Sequence, residues 1–453
     1  MSIKSTPGTG FSARVETLVI GAGAGGLVAA LAALEAGQEV LVLERDPVPS
    51  GSTALSAGLI PAAGTLAQAT AGIDDCARLF ADDIMAKAKN EPDAAIVAAA
   101  TEAAAPTLDW LADRFALPFT VVDDFDYPGH SVRRMHGLPS RSGRELIDRL
   151  RSVAEAEGLD ILCDAPATAL FADGNRVTGV EITRPDGSAE QIGCDRLILA
   201  CNGFGGNSAK VSKLTPRISD ALYFGHDGNR GDALDWGTAL GGATRHLGAF
   251  QGHGNVAHPH GVLITWATLS EGGLQLNARG ERFWDESQGY SEAAAQVLAQ
   301  PGAIAWTVFD ARIARIAQQF EDFRIAENQG AIHTVPDAEA LARLIGADLG
   351  PVVESIAHMT SGRCPFGRSF DPDKRLRRPY RAVKVTGALF HTQGGLDVAA
   401  NAQVKRAEGG LLPNLYAVGG AACGISGAGD AGYLSGNGLL TAVVLGRIAG
   451  RAT

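Results

Sequence analysis

The stretch from Val15 to Glu44 leaves a chain of this kind few folds to choose from. Thr17-Leu18-Val19-Ile20 is apolar and β-prone, and Gly21-Ala22-Gly23-Ala24-Gly25-Gly26 follows it directly. Leu27 to Ala36 is helical in composition, Gly37 closes it, and a second apolar strand, Glu39 to Leu43, ends on Glu44. Strand, glycine turn, helix, strand and acid in that order are what a dinucleotide-binding βαβ unit requires. Gly21 permits the tight turn, Gly23 lets the backbone approach a pyrophosphate, and Gly26 allows the helix to pack closely on the sheet. The helix N-terminus turns free N–H groups and a partial positive charge toward the phosphates. Glu44 is placed to accept hydrogen bonds from an adenosine ribose.

A chain of 453 residues exceeds what one core usually supports, so two domains or one composite domain are expected. The net charge of −11 argues against nucleic acid as a partner. The six cysteines are scattered with no CxxC pair, which suggests neither a disulfide framework nor a metal site. His253, His258 and His260 lack a carboxylate or cysteine at ligand spacing, so they read as structural or substrate-facing rather than metal-binding. Met1 to Arg14 is polar with no apolar signal region, and no apolar run reaches membrane-spanning length. The expectation is a soluble cytoplasmic protein.

After Glu44 comes a small, polar loop, Ser50 to Gly58, holding Ser52, Thr53 and Ser56. Residues 73–118 have helical, alanine-rich spacing, with Pro106 placed to start a new helix. Asp123 to His130 is a loop, and Arg133, Arg134 and Arg141 read as a solvated basic stretch, one of which could meet a substrate carboxylate. Ala167–Phe171, Arg176–Thr183 and Ala189–Ile192 read as three antiparallel strands. A buried strand, Arg196–Ala200, then ends in a second glycine-rich turn at Gly203. Asp232 is suited to cap a helix running to Gly241. From about 247 to 378 the character changes, as expected of an inserted α+β substrate or cap domain. The flanking segments, 1–246 and 379–453, then form one Rossmann-like α/β domain. Leu415 to Gly420, with Gly419 and Gly420, makes a third strand–glycine junction, and the last helix starts at Asn437.

Three features together resemble one family: the N-terminal unit, the His391-Thr392-Gln393-Gly394-Gly395-Leu396 turn, and the closing Leu415 to Gly419 and Gly436-Asn437-Gly438 segments. The chain is similar to the fumarate reductase/succinate dehydrogenase flavoproteins, which include the 3-ketosteroid 1-dehydrogenases. The resemblance implies noncovalent FAD, and the Ser50–Gly58 loop contains no histidine for covalent attachment. It also points the last helix's N-terminus at the flavin, with Leu439 and Leu440 giving backbone N–H groups there. Where fumarate reductases carry an arginine acid and an arginine carboxylate clamp, this chain has Tyr290 and Tyr433. Both match ketosteroid dehydrogenases, as do Tyr127 in an Asp-Tyr loop and the Pro365-Phe366-Gly367-Arg368 run. His391 instead follows the fumarate reductase pattern as a substrate ligand, which points toward a substrate smaller than a steroid, such as an oxocyclohexane carboxylate.

The resemblance therefore implies dehydrogenation beside the ketone of a cyclic substrate. Tyr433, with the Gly436 N–H, would polarise the carbonyl. Tyr290 would take the α-proton, its phenol lowered by Tyr127, and the β-hydride would go to the flavin. The electrons then leave to an external acceptor that no residue identifies. Two other readings stand beside it: a reductase of an unsaturated acid using Tyr290 as acid, and a flavin-binding protein without chemistry.

Overall fold

The computed structural model describes residues 2–8, 10–359 and 364–452. The expected unit is present: strand β1 (Ala13–Ile20), helix α1 (Ala24–Glu35) and strand β2 (Val40–Leu43). Nearly every residue of α1 is buried, which suits a helix that is apolar all round. Gly21 has φ +105°, and a Cβ at Gly26 would stand 1.8 Å from the Gly21 carbonyl oxygen, so no other residue fits there.

After a helical segment, β3 (Asp160–Leu162) joins the far side of β2. A meander follows, β4 (Ala167–Asp173), β5 (Arg176–Thr183) and β6 (Ala189–Leu199). Two strands read separately from the sequence prove to be one in β6. Its first half pairs antiparallel with β5, and its second half lies parallel to β1. The polar N-terminus adds an unexpected strand, Ser2–Ser5, parallel to β4. It is a mostly exposed edge, so it lacks the apolar alternation that would have revealed it.

The second sheet is centred on three long strands. β7 (Phe250–Ala257) and β8 (Ile304–Asp310) both pair antiparallel with the 13-residue β9 (Tyr380–Thr392). Helix α2 (Tyr290–Leu298) lies between β7 and β8 in the chain and packs on β7 and β9. The central strand of this sheet thus comes from beyond residue 378, and the chain rejoins the first sheet only at Gln403–Lys405. β10 (Leu411–Ala417) then lies parallel to the second half of β6. The final helix α3 (Asn437–Arg451) packs on α1 through small residues: a Cβ at Gly446 would stand 2.5 Å from the Gly25 carbonyl oxygen.

Two local expectations are corrected. Pro106 starts no helix but lies inside Ala94–Phe115, where buried Ala100, Ala104, Leu108 and Leu111 hold the element on both sides of it. Asp232 is not a cap: Gly231, at φ +83°, occupies that position without a side-chain bond, and Asp232 opens the helix Asp232–Ala239.

Candidate active site

One large cavity runs between the two sheets, with about 2310 Å³ of empty space when its open mouth is counted. At one end it is walled by Gly21, Gly23, Glu44, Ser52, Thr53, Ser56, Gly58 and Asp232, all expected from the sequence to hold a cofactor. Glu44 is buried and accepts the Ala22 N–H at 2.8 Å, while burial pushes its carboxyl above the usual range. Thr53 Oγ1 accepts the Ala24 N–H, and Ser52 Oγ accepts from the His226 N–H and Asn229, which ties the loop to both flanks. Burial also raises the Asp232 carboxyl.

Gly419, Gly420, Gly436 and Leu439 line the wall farther along. Gly26, Gly203, Asn437 and Leu440 do not. Gly203 packs against protein instead, since a Cβ there would lie 2.0 Å from Thr392 Oγ1. Asn437 is fully buried behind the wall, and both its amide atoms lack partners among the described residues. The remaining set fits a dinucleotide. A Cβ at Gly23 would meet nothing closer than Thr53 Oγ1 at 3.6 Å, so its backbone is open to the cavity. Two helix N-termini, of α1 and α3, end on the same space.

At the other end stand Tyr127, Tyr290, Tyr433 and His391. The Tyr290 and Tyr433 ring centroids are 5.9 Å apart, and their hydroxyls face each other and the Gly436 N–H. Ser435 Oγ also reaches the Tyr290 hydroxyl, and the Tyr433 oxygen accepts the Gly438 N–H at 3.2 Å. The expected lowering of Tyr290 by Tyr127 is corrected. Burial pushes the Tyr290 phenol up to about 12, with Ser435, Gly436 and Tyr433 only partly offsetting it. Tyr127's own phenol is raised by burial and by the neighbouring Tyr290. Burial raises Tyr433 as well.

Burial lowers His391 to about 4, so it is neutral near pH 7, and Gln393 Nε2 lies 2.8 Å from its Nδ1. The site also contains a residue the sequence left undecided. His253 stacks on Tyr290 at 4.7 Å and 19°, and on Phe390 at 5.1 Å and 22°. Its Nδ1 accepts the Asn255 N–H, and burial lowers it to about 3. The neutral ring must therefore carry its proton on Nε2, which opens on the cavity. Alternation along β7 puts Gln251 and His253 on one face, a signal that could have found both. His258 and His260 are exposed, and the described residues contain no metal-binding cluster.

The only Lys or Arg among the described residues lining the cavity are Arg45 and Arg230, at the Glu44 end, where Arg45 donates to the Gly228 carbonyl. Arg134 is corrected most sharply. Far from being solvated, it is fully buried, paired to Asp75 through Nε at 2.9 Å and Nη2 at 3.0 Å and to Asp83 through Nη1.

A dinucleotide cradle that meets paired phenols and a neutral imidazole at its far end defines a cofactor-dependent oxidoreductase. The chain belongs to the FAD binding domain family, whose sequence model matches residues 16–439. It is similar to a probable fumarate reductase of Shewanella frigidimarina, 28% identical over 458 residues, covering 99% of this chain and 76% of that protein. It is also similar to the 4-oxocyclohexanecarboxylate 2-dehydrogenase of Sinomonas cyclohexanicum, 25% identical over 540 residues, covering 93% and 92%. Among solved structures, the open conformation of a flavocytochrome c3 fumarate reductase superposes with TM-score 0.80 at 27% identity, covering 98% of this chain and 78% of that one. The 3-ketosteroid-Δ4-(5α)-dehydrogenase of Rhodococcus jostii RHA1 has the same fold, at TM-score 0.76 and 22% identity, covering 100% and 99%. The protein is an FAD-dependent oxidoreductase acting on CH–CH bonds. Among the described residues, no helix is long and apolar enough to cross a membrane.

Proposed function

We propose that the enzyme is a dehydrogenase that introduces a C=C bond beside the ketone of a cyclic substrate, a 3-ketosteroid or a smaller oxocyclohexane, with FAD held noncovalently. The observation that carries this reading is the Tyr290–Tyr433 pair at the Gly436 N–H, in a cavity end without a cation among the described residues. A dicarboxylate would need cationic partners there; a ketone needs a donor and a base.

Gly21, Gly23, Glu44, Thr53 and the α3 N-terminus would hold FAD, which when bound supplies the acceptor for the β-hydride. Tyr433 receives the Gly438 N–H on its oxygen, which strengthens its O–H as a donor to the substrate carbonyl. Tyr290 takes the α-proton as phenolate, which the Gly436 N–H and Ser435 Oγ are positioned to stabilise. His253 Nε2–H and His391 add neutral polar contacts on the wall. The aromatic run Phe224–Phe390–His253–Tyr290 gives a ring-shaped apolar substrate its contact surface.

An anaerobic panel tests this: 3-ketosteroids, cyclohexanones, 4-oxocyclohexanecarboxylate and succinate, each followed by bleaching of bound flavin. Bleaching by cyclic ketones and not by succinate is expected. Inert ketones, together with rapid reoxidation of chemically reduced enzyme by fumarate or another unsaturated acid, would establish the reductase reading instead.

A further inference from the structure

One half-buried group outside the cavity wall is aimed at the reacting end through a single peptide. His130 Nε2 lies 3.0 Å from the Ser435 carbonyl oxygen. That carbonyl belongs to the same amide as the Gly436 N–H, which faces the hydroxyls of Tyr290 and Tyr433. In a planar trans peptide the C=O and N–H point to opposite sides, so one orientation of this unit serves both contacts. Gly436 has φ +84°, a conformation that glycine adopts readily and L side chains rarely do.

The surroundings of His130 allow it one protonation state. Arg134 commits Nε and Nη2 to Asp75, and its Nη1 donates to Asp83 and reaches His130 Nδ1 at 3.4 Å. Facing a guanidinium, Nδ1 must be the unprotonated, accepting nitrogen, so Nε2 carries the proton and donates to Ser435. The other groups around the ring are Asp75 and Asp83, both engaged by Arg134, and the face of Phe80 at 6.0 Å. Burial and Arg134 hold His130 at about 4, so it stays neutral through the working range and cannot relay a proton.

We infer that His130 is a positioning residue: anchored by the buried Arg134–Asp75–Asp83 cluster, it orients and polarises the Ser435–Gly436 peptide so that the Gly436 N–H serves as donor to the paired tyrosine oxygens. A hydrogen bond accepted at a carbonyl strengthens donation by the N–H of the same amide. The inference rests on the proposed role of Tyr290 as base.

The test compares His130→Gln, which retains a side-chain N–H donor, with His130→Met, of similar length and without one. In stopped-flow reduction of the holoenzyme by a ketone substrate, His130→Met should lower the limiting rate on the order of tenfold, the worth of one hydrogen bond near 1.4 kcal/mol. It should also shift the pH profile upward, with substrate Kd within about twofold, while His130→Gln recovers most of the rate. Equal rates and profiles in wild type and His130→Met would overturn the inference. Independently of how His130→Met folds, 15N-histidine NMR of wild-type holoenzyme, with the ring assigned through His130→Gln, should show His130 neutral as the Nε2–H tautomer from pH 5 to 9. An Nδ1–H ring, or one titrating near 6.5, would overturn it equally. If Tyr290→Phe leaves flavin reduction unchanged, the base assignment itself fails. If Tyr290→Phe abolishes reduction and His130→Met changes nothing, only the positioning role fails.

Discussion

Tyr290 and Tyr433 meet hydroxyl to hydroxyl although they come from different parts of the chain, one opening α2 and the other in the loop before α3. Their ring planes are inclined at 59° with centroids 5.9 Å apart, and both rings belong to the aromatic wall of the cavity. That geometry divides the work between them. Tyr433→Phe, which removes the carbonyl donor, should slow the reductive half-reaction on the order of a hundredfold. Tyr290→Phe should leave flavin reduction by ketones at background, with FAD still bound. Rapid-mixing spectroscopy at the flavin band measures both, and near-wild-type reduction by Tyr290→Phe would remove it as the base.

The pH dependence follows from the same pair. A base is active when deprotonated, and burial pushes the Tyr290 phenol up to about 12. The active fraction therefore grows as pH rises, and kcat/KM should climb about tenfold per pH unit across the neutral and mildly alkaline range. His253 and His391, lowered to about 3 and about 4, add no inflection between pH 6 and 8. A profile flat from pH 7 to 10, with reduction still rate-limiting, would contradict a phenol of this environment acting as base.

Much of this site was legible because its parts carry local signals. The glycine turn of β1–α1 is dictated by sterics that leave Gly26 no alternative, and Glu44 follows at the spacing a ribose ligand needs. Tyr290, Tyr433 and Tyr127 were found through a family pattern, and all three line the cavity. The ionisation of Tyr290 was not legible, because desolvation depends on what covers the phenol, and that cover comes from Trp266 and His253, distant in the chain. Arg134 misled for a related reason. Its partners Asp75 and Asp83 lie more than fifty residues earlier, so the sequence shows a basic run where the fold makes a buried ion cluster.

A second buried cluster supports α2 from behind. Glu286 is fully buried and bonded by Arg282 Nε at 3.0 Å and Arg368 Nη1 at 3.0 Å, and Arg368 also donates to the Leu269 and Gly273 carbonyls. Burial works to raise the Glu286 carboxyl, but Arg368 and Arg282 outweigh it and hold the group below its ordinary value. A carboxyl lowered in the folded state adds stability above its unfolded pKa, and that stability is lost as pH falls through the folded one. Arg368→Met leaves the Glu286 charge short of a partner and strands two carbonyls, so it should cost about 3 kcal/mol in urea unfolding at neutral pH. The variant should also lose less of its stability than wild type on acidification below about pH 4, since less of the carboxylate's stabilisation remains to be lost. A cost within about 0.5 kcal/mol would show that the cluster is not structural.

Attachment of the cofactor can be decided without any substrate. The loop expected along the flavin, Ser50 to Gly58, carries hydroxyls and glycines, and its histidine neighbour is His226, whose Nε2 is engaged by Asp46 at 2.8 Å. That loop offers no histidine for a bond to the ring, and the proposed noncovalent binding rests on the cradle: the α1 and α3 N-termini, Glu44, and the open backbone at Gly23. Acid precipitation of the holoenzyme should therefore release the flavin into the supernatant, where its absorbance matches free FAD, and leave a colourless pellet. Gly26→Ala should yield protein without flavin, because its Cβ would drive into the Gly21 carbonyl and push α1 off the sheet. A pellet that stays yellow and fluoresces after denaturing electrophoresis would mean a covalent bond, made by a residue outside this loop.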